Sequence, residues 1–138
     1  MYEKTKEWLE ALERKDREIC LLMNEISKIR ELATSVGGVG SPVQSSGGDR
    51  LGKIIANLAD KENELDAVID EYIDERREKI KVINQIEDNN IRDVIYFHYA
   101  QFMPMTKIAE KLNYSYIWVH KMNTIGIEKI DSLLKEYI

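Results

Sequence analysis

The sequence predicts an all-α protein, in which a long antiparallel helical hairpin of the coiled-coil type precedes a smaller bundle of short helices. Apolar residues recur in three- and four-residue steps over two long stretches, and no useful length of strand-like alternation occurs. The 138 residues include two prolines, so long helices are permitted almost everywhere. We therefore expect residues 1–87 to form the hairpin and residues 88–138 to form a second domain.

The first long helix is expected over residues of about 4–34. Its heptad-like seam has one polar interruption, Lys15, and consists of Trp8, Leu12, Ile19, Leu22, Ile26, Ile29 and Ala33. A break follows at residues 36–49, because the segment from Val36 to Arg50 holds five of the seven glycines, one proline and three serines. This composition predicts a flexible loop, with Asp49 as the N-cap of the next helix.

The second long helix is expected over residues of about 50–87. Glu62 and Arg76 interrupt its seam, which is formed by Leu51, Ile55, Leu58, Leu65, Ile69, Tyr72, Ile80, Ile83 and Ile86. Neither helix can leave its apolar stripe in water, so the two seams should face each other, and they could also pair with a second copy of the chain. Because a two-helix hairpin is thin, we expect a homo-oligomer, and a dimer is favoured.

The last third begins with a capping signal at Asp88, followed by a short helix that contains Ile91, Val94, Ile95 and Phe102. Met103-Pro104 ends this helix and starts the next one.

Residues 104–130 have the spacing of a helix-turn-helix module. The buried face of its first helix is predicted to comprise Met105, Ile108, Ala109 and Leu112. Asn113 tolerates the left-handed turn, Tyr114 is expected to be buried, and Ser115 is expected to be the next N-cap. The buried stripe of the second helix is Val119, Met122, either Ile125 or Gly126, and Ile130. Gly126 indicates either a close approach of helices or a kink.

The order Arg92-x-Val94-Ile95, then Tyr99, then Ile108-Ala109-x-x-Leu112-x-x-Ser115-x-x-x-Val119 resembles region 4 of bacterial sigma factors. It is also similar to small phage and prophage proteins with a sigma-region-4-like helix-turn-helix, including late-gene transcription regulators of the ArpU/RinA type. The resemblance covers residues of about 91–130 well and the rest of the chain loosely. It implies a transcription regulator that binds DNA and acts as a dimer or with RNA polymerase.

The resemblance also implies that the helix starting at Ser115 contacts DNA. The expected contact residues are Ser115, Tyr116, Ile117, Trp118, His120, Lys121, Asn123 and Thr124. Asn123 suits adenine, Lys121 suits guanine or phosphate, and Thr124 suits either. Where sigma factors carry charge, this chain carries Tyr116, Ile117 and Trp118, which is also compatible with protein binding. A phage assembly or adaptor protein, similar to a terminase small subunit or binding RNA polymerase, is therefore the alternative.

The remaining residues favour no catalytic or metal site. Cys20 is the only cysteine, so no internal disulfide is possible, and a small buried or half-buried side chain is expected there. His98 has no nucleophile or acid at a catalytic spacing, and the acidic runs between Asp60 and Glu78 have the pattern of a solvated helix face. We expect no enzyme activity, no cofactor, no membrane span and a cytoplasmic location in a bacterial host.

Overall fold

The computed structural model of the protein describes residues 2–36 and 45–136. Within these two ranges the chain forms five α-helices and no strand, so the predicted all-α class is confirmed. The helices are α1 Glu3–Val36, α2 Ser45–Ile83, α3 Asn89–Ile95, α4 Met105–Leu112 and α5 Tyr116–Glu136. A π-helical segment, Tyr96–Ala100, directly continues α3.

The second long helix starts earlier than the sequence predicted. Helix α2 begins at Ser45, so Asp49 lies inside it, and the expected N-cap at Asp49 is wrong. A glycine costs a helix about 1 kcal/mol but keeps its backbone N–H, so a long helix tolerates Gly47 and Gly48. The rest of the expected loop, residues 37–44, lies outside the described residues.

The same helix ends earlier than predicted, at Ile83 instead of residue 87. The chain then tightens into two short turns, in which the Gln85 N–H donates to the Val82 carbonyl and the Ile86 N–H donates to the Ile83 carbonyl. The predicted cap at Asp88 is confirmed, because its carboxylate accepts from the N–H groups of Asn90 at 2.9 Å and Ile91 at 3.1 Å.

The described chain divides into two compact units. One comprises Lys15–Glu71, and the other combines Met1–Arg14 with Tyr72–Ile138. Each long helix therefore contributes to both units. The prediction that residues 88–138 form a domain of their own remains a prediction.

In the unit Lys15–Glu71, α1 and α2 run in opposite directions. Lys15 pairs with Glu71 at 2.9 Å, whereas the later residue Arg30 pairs with the earlier residue Glu62 at 2.8 Å. Three apolar side chains of this unit are buried, namely Leu22, Ile26 and Val68.

Two expectations about burial fail in this unit. Cys20 is exposed, contrary to the predicted burial, and Ile55, assigned to the seam of α2, is 52% exposed. Cys20 follows Ile19 and precedes Leu22, so its position on the helix is turned away from the stripe that α2 covers. Residues that are adjacent in sequence point to different faces of a helix, even when all of them are apolar.

The larger core belongs to the other unit. It unites the first turns of α1, the end of α2 and the last three helices through Leu9, Val82, Ile83, Ile86, Ile91, Val94, Ile95, Tyr99, Ile108, Ala109, Val119, Met122, Ile127 and Ile130. Leu9 and Val82 were not part of the predicted seams. Lys79 is also buried here, with its ammonium 4.9 Å from the centre of the Trp8 ring.

The segment between α3 and α4 does not form the single continuous helix that the sequence predicted for residues 91–102. Phe102, assigned to the helix of residues 91–102, lies outside it with a φ of 58°. The π-helical segment inserts extra residues per turn and ends at Ala100, whose carbonyl accepts a hydrogen bond from Arg76. His98 is half-buried, with Nδ1 2.9 Å from the Met103 carbonyl oxygen, as expected for a structural histidine.

Candidate nucleic-acid interface

Helices α4 and α5 are joined by a three-residue turn, Asn113 to Ser115. Asn113 has φ 63° and ψ 40°, the left-handed conformation that the sequence predicted for it. The Tyr114 N–H donates to the Ala109 carbonyl at 3.0 Å, which satisfies one of the free carbonyls at the end of α4. Beyond this turn α5 packs against α4, and Ile108 and Ala109 of α4 are buried.

Ser115 caps α5, as predicted. Its Oγ accepts a hydrogen bond from the Trp118 N–H at 3.1 Å, and its carbonyl accepts from the Val119 N–H at the same distance. A serine cap contributes about 1 kcal/mol to helix stability. The cap therefore fixes where the exposed first turns of α5 begin.

The inner face of α5 packs into the core through Val119, Met122, Gly126, Ile127 and Ile130. Of the two alternatives for the stripe, Gly126 is buried and Ile125 is 38% exposed. Helix α5 continues to Glu136, and Gly126 lies directly against Ile95 and Ile91 of α3. Close approach is thus the role of this glycine, and the helix does not end there.

The outer face of the first turns of α5 is exposed. We call it the α5 surface, and it consists of Tyr116, Ile117, Trp118, His120, Lys121 and Thr124. Ile117 is 68% exposed, Tyr116 51% and Trp118 47%, so this surface presents three large apolar side chains to solvent. Five of the six residues, all except Trp118, line a shallow depression.

Contacts within the α5 surface restrain the side chains of Tyr116, His120 and Thr124. The Tyr116 and His120 rings meet edge to face, with centroids 4.4 Å apart. The Thr124 hydroxyl donates to the His120 carbonyl at 3.1 Å, so its oxygen remains an acceptor towards solvent. Lys121 makes no ion pair with any residue that the structure describes. One cation and several hydrogen-bonding groups are therefore available to a ligand.

The expected exposure of Asn123 is wrong. Asn123 is 9% exposed, and its side chain forms a hydrogen bond with Tyr99, which is 5% exposed. Burial raises the pKa of Tyr99, although the hydrogen bond from Asn123 opposes this shift, and Glu10 raises the pKa further. Asn123 follows the buried Val119 by four residues, a spacing that already places it on the inner face.

Three cationic residues of α3 and α4 each contact a neighbouring group. On α4, the exposed Lys107 lies 3.8 Å from Glu110, and the Lys111 ammonium lies 5.1 Å from the centre of the Phe97 ring. Arg92 of α3 donates hydrogen bonds to the Ile86 carbonyl at 3.1 Å and to the Asn89 side chain at 2.6 Å. Arg92 therefore stabilises the start of α3.

Other kinds of site find little support in the described part of the chain. Residues 2–36 and 45–136 contain no group of three or more histidine, cysteine or acidic side chains that could hold a metal ion. None of the helices in these ranges is long and apolar enough to cross a membrane. Comparison with protein-family models, with curated proteins and with solved structures gives no match.

Proposed function

We propose that this protein is a DNA-binding transcription regulator of a phage or prophage, similar to sigma region 4, and that the α5 surface contacts the DNA. The observation that carries the proposal is a capped helix whose first three turns are exposed along one face, directly after a short helix and a left-handed turn. This is the order of elements by which helix-turn-helix proteins insert a helix into the major groove.

Each exposed group of the α5 surface has a complementary group on DNA. Lys121 suits guanine or phosphate oxygens. The Thr124 hydroxyl donates its proton to the His120 carbonyl, so its oxygen suits the amino groups of adenine or cytosine instead of the guanine or phosphate expected from the sequence. Ile117 and Trp118 suit the methyl groups of thymine, and the exposed Ser115 and the His120 and Tyr116 rings suit phosphates. Asn123 is not among the proposed DNA-contact residues because it is buried.

The small number of cations has a quantitative consequence. Each phosphate contact adds about 0.9 to the slope of log affinity against log salt, so one module with Lys121 and few neighbours should show a shallow slope and weak binding. The chain as a whole carries a net charge of −5, which further weakens binding to arbitrary DNA. Tight binding then requires two modules or a partner such as RNA polymerase.

The first test is fluorescence polarisation of labelled promoter duplexes from phage late-gene regions, titrated with the full chain at about 50 mM salt, where electrostatic contacts are weakly screened. We expect binding that weakens on addition of salt. No binding at this salt concentration, even at protein concentrations that populate oligomers, would refute the proposal.

Two substitutions localise the contact. Lys121→Ala should weaken binding and reduce the salt slope by about 1, whereas Lys129→Ala, with the same loss of charge further along α5, should leave both unchanged. Ile117→Lys adds a cation at the most exposed position of the α5 surface and should strengthen binding and steepen the slope. An unchanged slope in both α5-surface variants would place the DNA contact elsewhere.

A second candidate function is an assembly or adaptor protein of a phage, either similar to a terminase small subunit or binding RNA polymerase. The observation that favours it is the exposure of Tyr116, Ile117 and Trp118, since aromatic side chains are enriched at the centres of protein interfaces. Under this alternative, Ile117→Lys should abolish capture of purified RNA polymerase without any gain in DNA affinity. Light scattering separates a ring of many copies, expected for a terminase-like protein, from a smaller species.

A further inference from the structure

A second exposed stripe lies on α1, within the unit Lys15–Glu71. It consists of Leu21, Glu25, Lys28 and Leu32, which we call the α1 stripe. At about 100° per residue, these four positions fall within an arc of about 60° on the helix. Leu21 is 63% exposed and Leu32 46%, and all four side chains are open to solvent.

The α1 stripe is distinct from the face that α1 presents to α2. Measured from the middle of the stripe, the buried residues Leu22 and Ile26 lie about 90° and about 130° around the helix. In its described part the unit buries the apolar side chains of Leu22, Ile26 and Val68, whereas both leucines of the α1 stripe stay exposed.

We propose that the α1 stripe is a self-association surface, on which α1 of a second copy of the chain packs antiparallel. The order along the stripe is apolar, acidic, basic, apolar, with spacings of four, three and four residues. When two α1 helices pack antiparallel through this stripe, Leu21 faces Leu32 of the second copy and Glu25 faces its Lys28. Each contact then occurs twice, which is the property of a two-fold symmetric interface.

The charges of the α1 stripe are available for this arrangement. Lys28 makes no ion pair within the described ranges, so its ammonium can pair with the second copy. Glu25 uses one carboxylate oxygen, Oε2, towards Lys61 at 3.6 Å, and its side chain remains 56% exposed. Its other oxygen is left for the Lys28 ammonium of the second copy.

A parallel arrangement does not fit the same residues. It would place Glu25 beside Glu25 and Lys28 beside Lys28, and like charges placed together in an interface are strongly unfavourable. The charge order therefore selects both the partner, a copy of this chain, and its direction.

Sedimentation equilibrium of the full chain tests the association without any DNA, so its outcome is independent of the proposed regulator function. We expect a concentration-dependent dimer of twice the 16.1 kDa chain mass. Lys28→Glu places two pairs of like charges in the interface and should raise the dimer dissociation constant about tenfold or more. The double variant Glu25→Lys with Lys28→Glu restores opposite pairs and should recover most of the affinity.

The control for these variants is Lys6→Glu, which makes the same charge change at an exposed position of α1 far from the α1 stripe. It should leave the dissociation constant unchanged. A monomer at all accessible concentrations, or a dimer that Lys28→Glu does not weaken, overturns the proposal. Circular dichroism of each variant verifies that the helices are retained.

Disulfide trapping tests the direction of the pairing in a Cys20→Ser background. Mixing Leu21→Cys chains with Leu32→Cys chains should give a covalent heterodimer on mild oxidation. Either variant alone should not cross-link, because its two copies of the cysteine would lie about 16 Å apart along the helices at 1.5 Å per residue. Cross-linking of each variant with itself would indicate parallel helices and overturn the proposal.

Discussion

Gly126 of α5 lies directly against the side chain of Ile95 in α3, and no space for a Cβ atom remains between them. A Cβ at this position would overlap two atoms of the Ile95 side chain and lie 3.2 Å from Cγ2 of Ile91. The two helices pack at this point through a backbone instead of a side chain, which brings the inner face of α5 close to the core.

Gly126→Ala is therefore expected to destabilise the protein. The substitution gains about 1 kcal/mol in helix propensity but forces Ile95 to move within a packed core, which costs about 1–3 kcal/mol. We expect a net loss of up to about 2 kcal/mol in the free energy of unfolding, measured by urea denaturation.

Gly52→Ala is the matched control for this prediction. Gly52 also lies inside a helix, but nothing lies within 4 Å of where its Cβ would stand. This variant should be more stable than the wild type by about 0.5–1 kcal/mol. A Gly126→Ala protein as stable as Gly52→Ala would contradict the close packing of α3 and α5.

The Tyr99–Asn123 pair is expected to behave as a coupled unit in the core. Asn123→Leu leaves the Tyr99 hydroxyl buried without this partner, and such a group costs about 1–3 kcal/mol. Tyr99→Phe likewise leaves the Asn123 amide group unpaired, whereas the double variant removes both polar groups and should lose less than the sum of the single losses. Urea denaturation of the four proteins gives this coupling energy, and simple additivity would contradict the pair.

Acid stability is expected to depend on Asp131. The Thr5 hydroxyl donates to Asp131 Oδ1 at 2.7 Å and the Lys135 ammonium lies 3.1 Å from Oδ2, and these contacts lower the carboxyl pKa from its ordinary value of 3.8. A carboxylate whose pKa is lower in the folded state stabilises the protein above pH 3.8, and this stabilisation is lost as the pH falls through the folded pKa.

Thr5→Val removes the larger cause of this shift and should make unfolding less dependent on pH in the acid range. The measurement is the thermal midpoint at several pH values between about 5 and about 2, where carboxylates of this kind titrate. Thr34→Val is the control, since the Thr34 hydroxyl donates only to the Arg30 carbonyl within its own helix. An identical acid dependence in the Thr5→Val and Thr34→Val proteins would contradict the role of Thr5.

Local signals in the sequence were the most informative. Asp88, Asn113 and Ser115 could be placed correctly because each acts within its own turn, through a side-chain cap or a left-handed backbone. Helix periodicity also identified the all-α class and most of the buried stripe of α5. These features depend on neighbours within about four residues, which a single sequence contains.

Features that depend on distant residues could not be predicted in the same way. Leu9 is buried because the end of α2 and the later helices cover it, and Ile55 is exposed because no helix of its unit covers it. The start of α2 was missed because composition alone cannot tell a loop from a helix that tolerates two glycines. Asn123 was misassigned by residue type, although its spacing from Val119 indicated the inner face.

The hydrogen bond between Thr5 and Asp131 joins residues that are 126 positions apart in the chain. During synthesis the first turns of α1 emerge long before Asp131, so this part of the core can close only after Asp131 has been made. Contacts across so long a separation slow folding and leave Leu9 and its neighbours exposed in the meantime. A nascent chain truncated after Ile83 would accordingly expose to chaperones the apolar side chains that are buried in the folded structure.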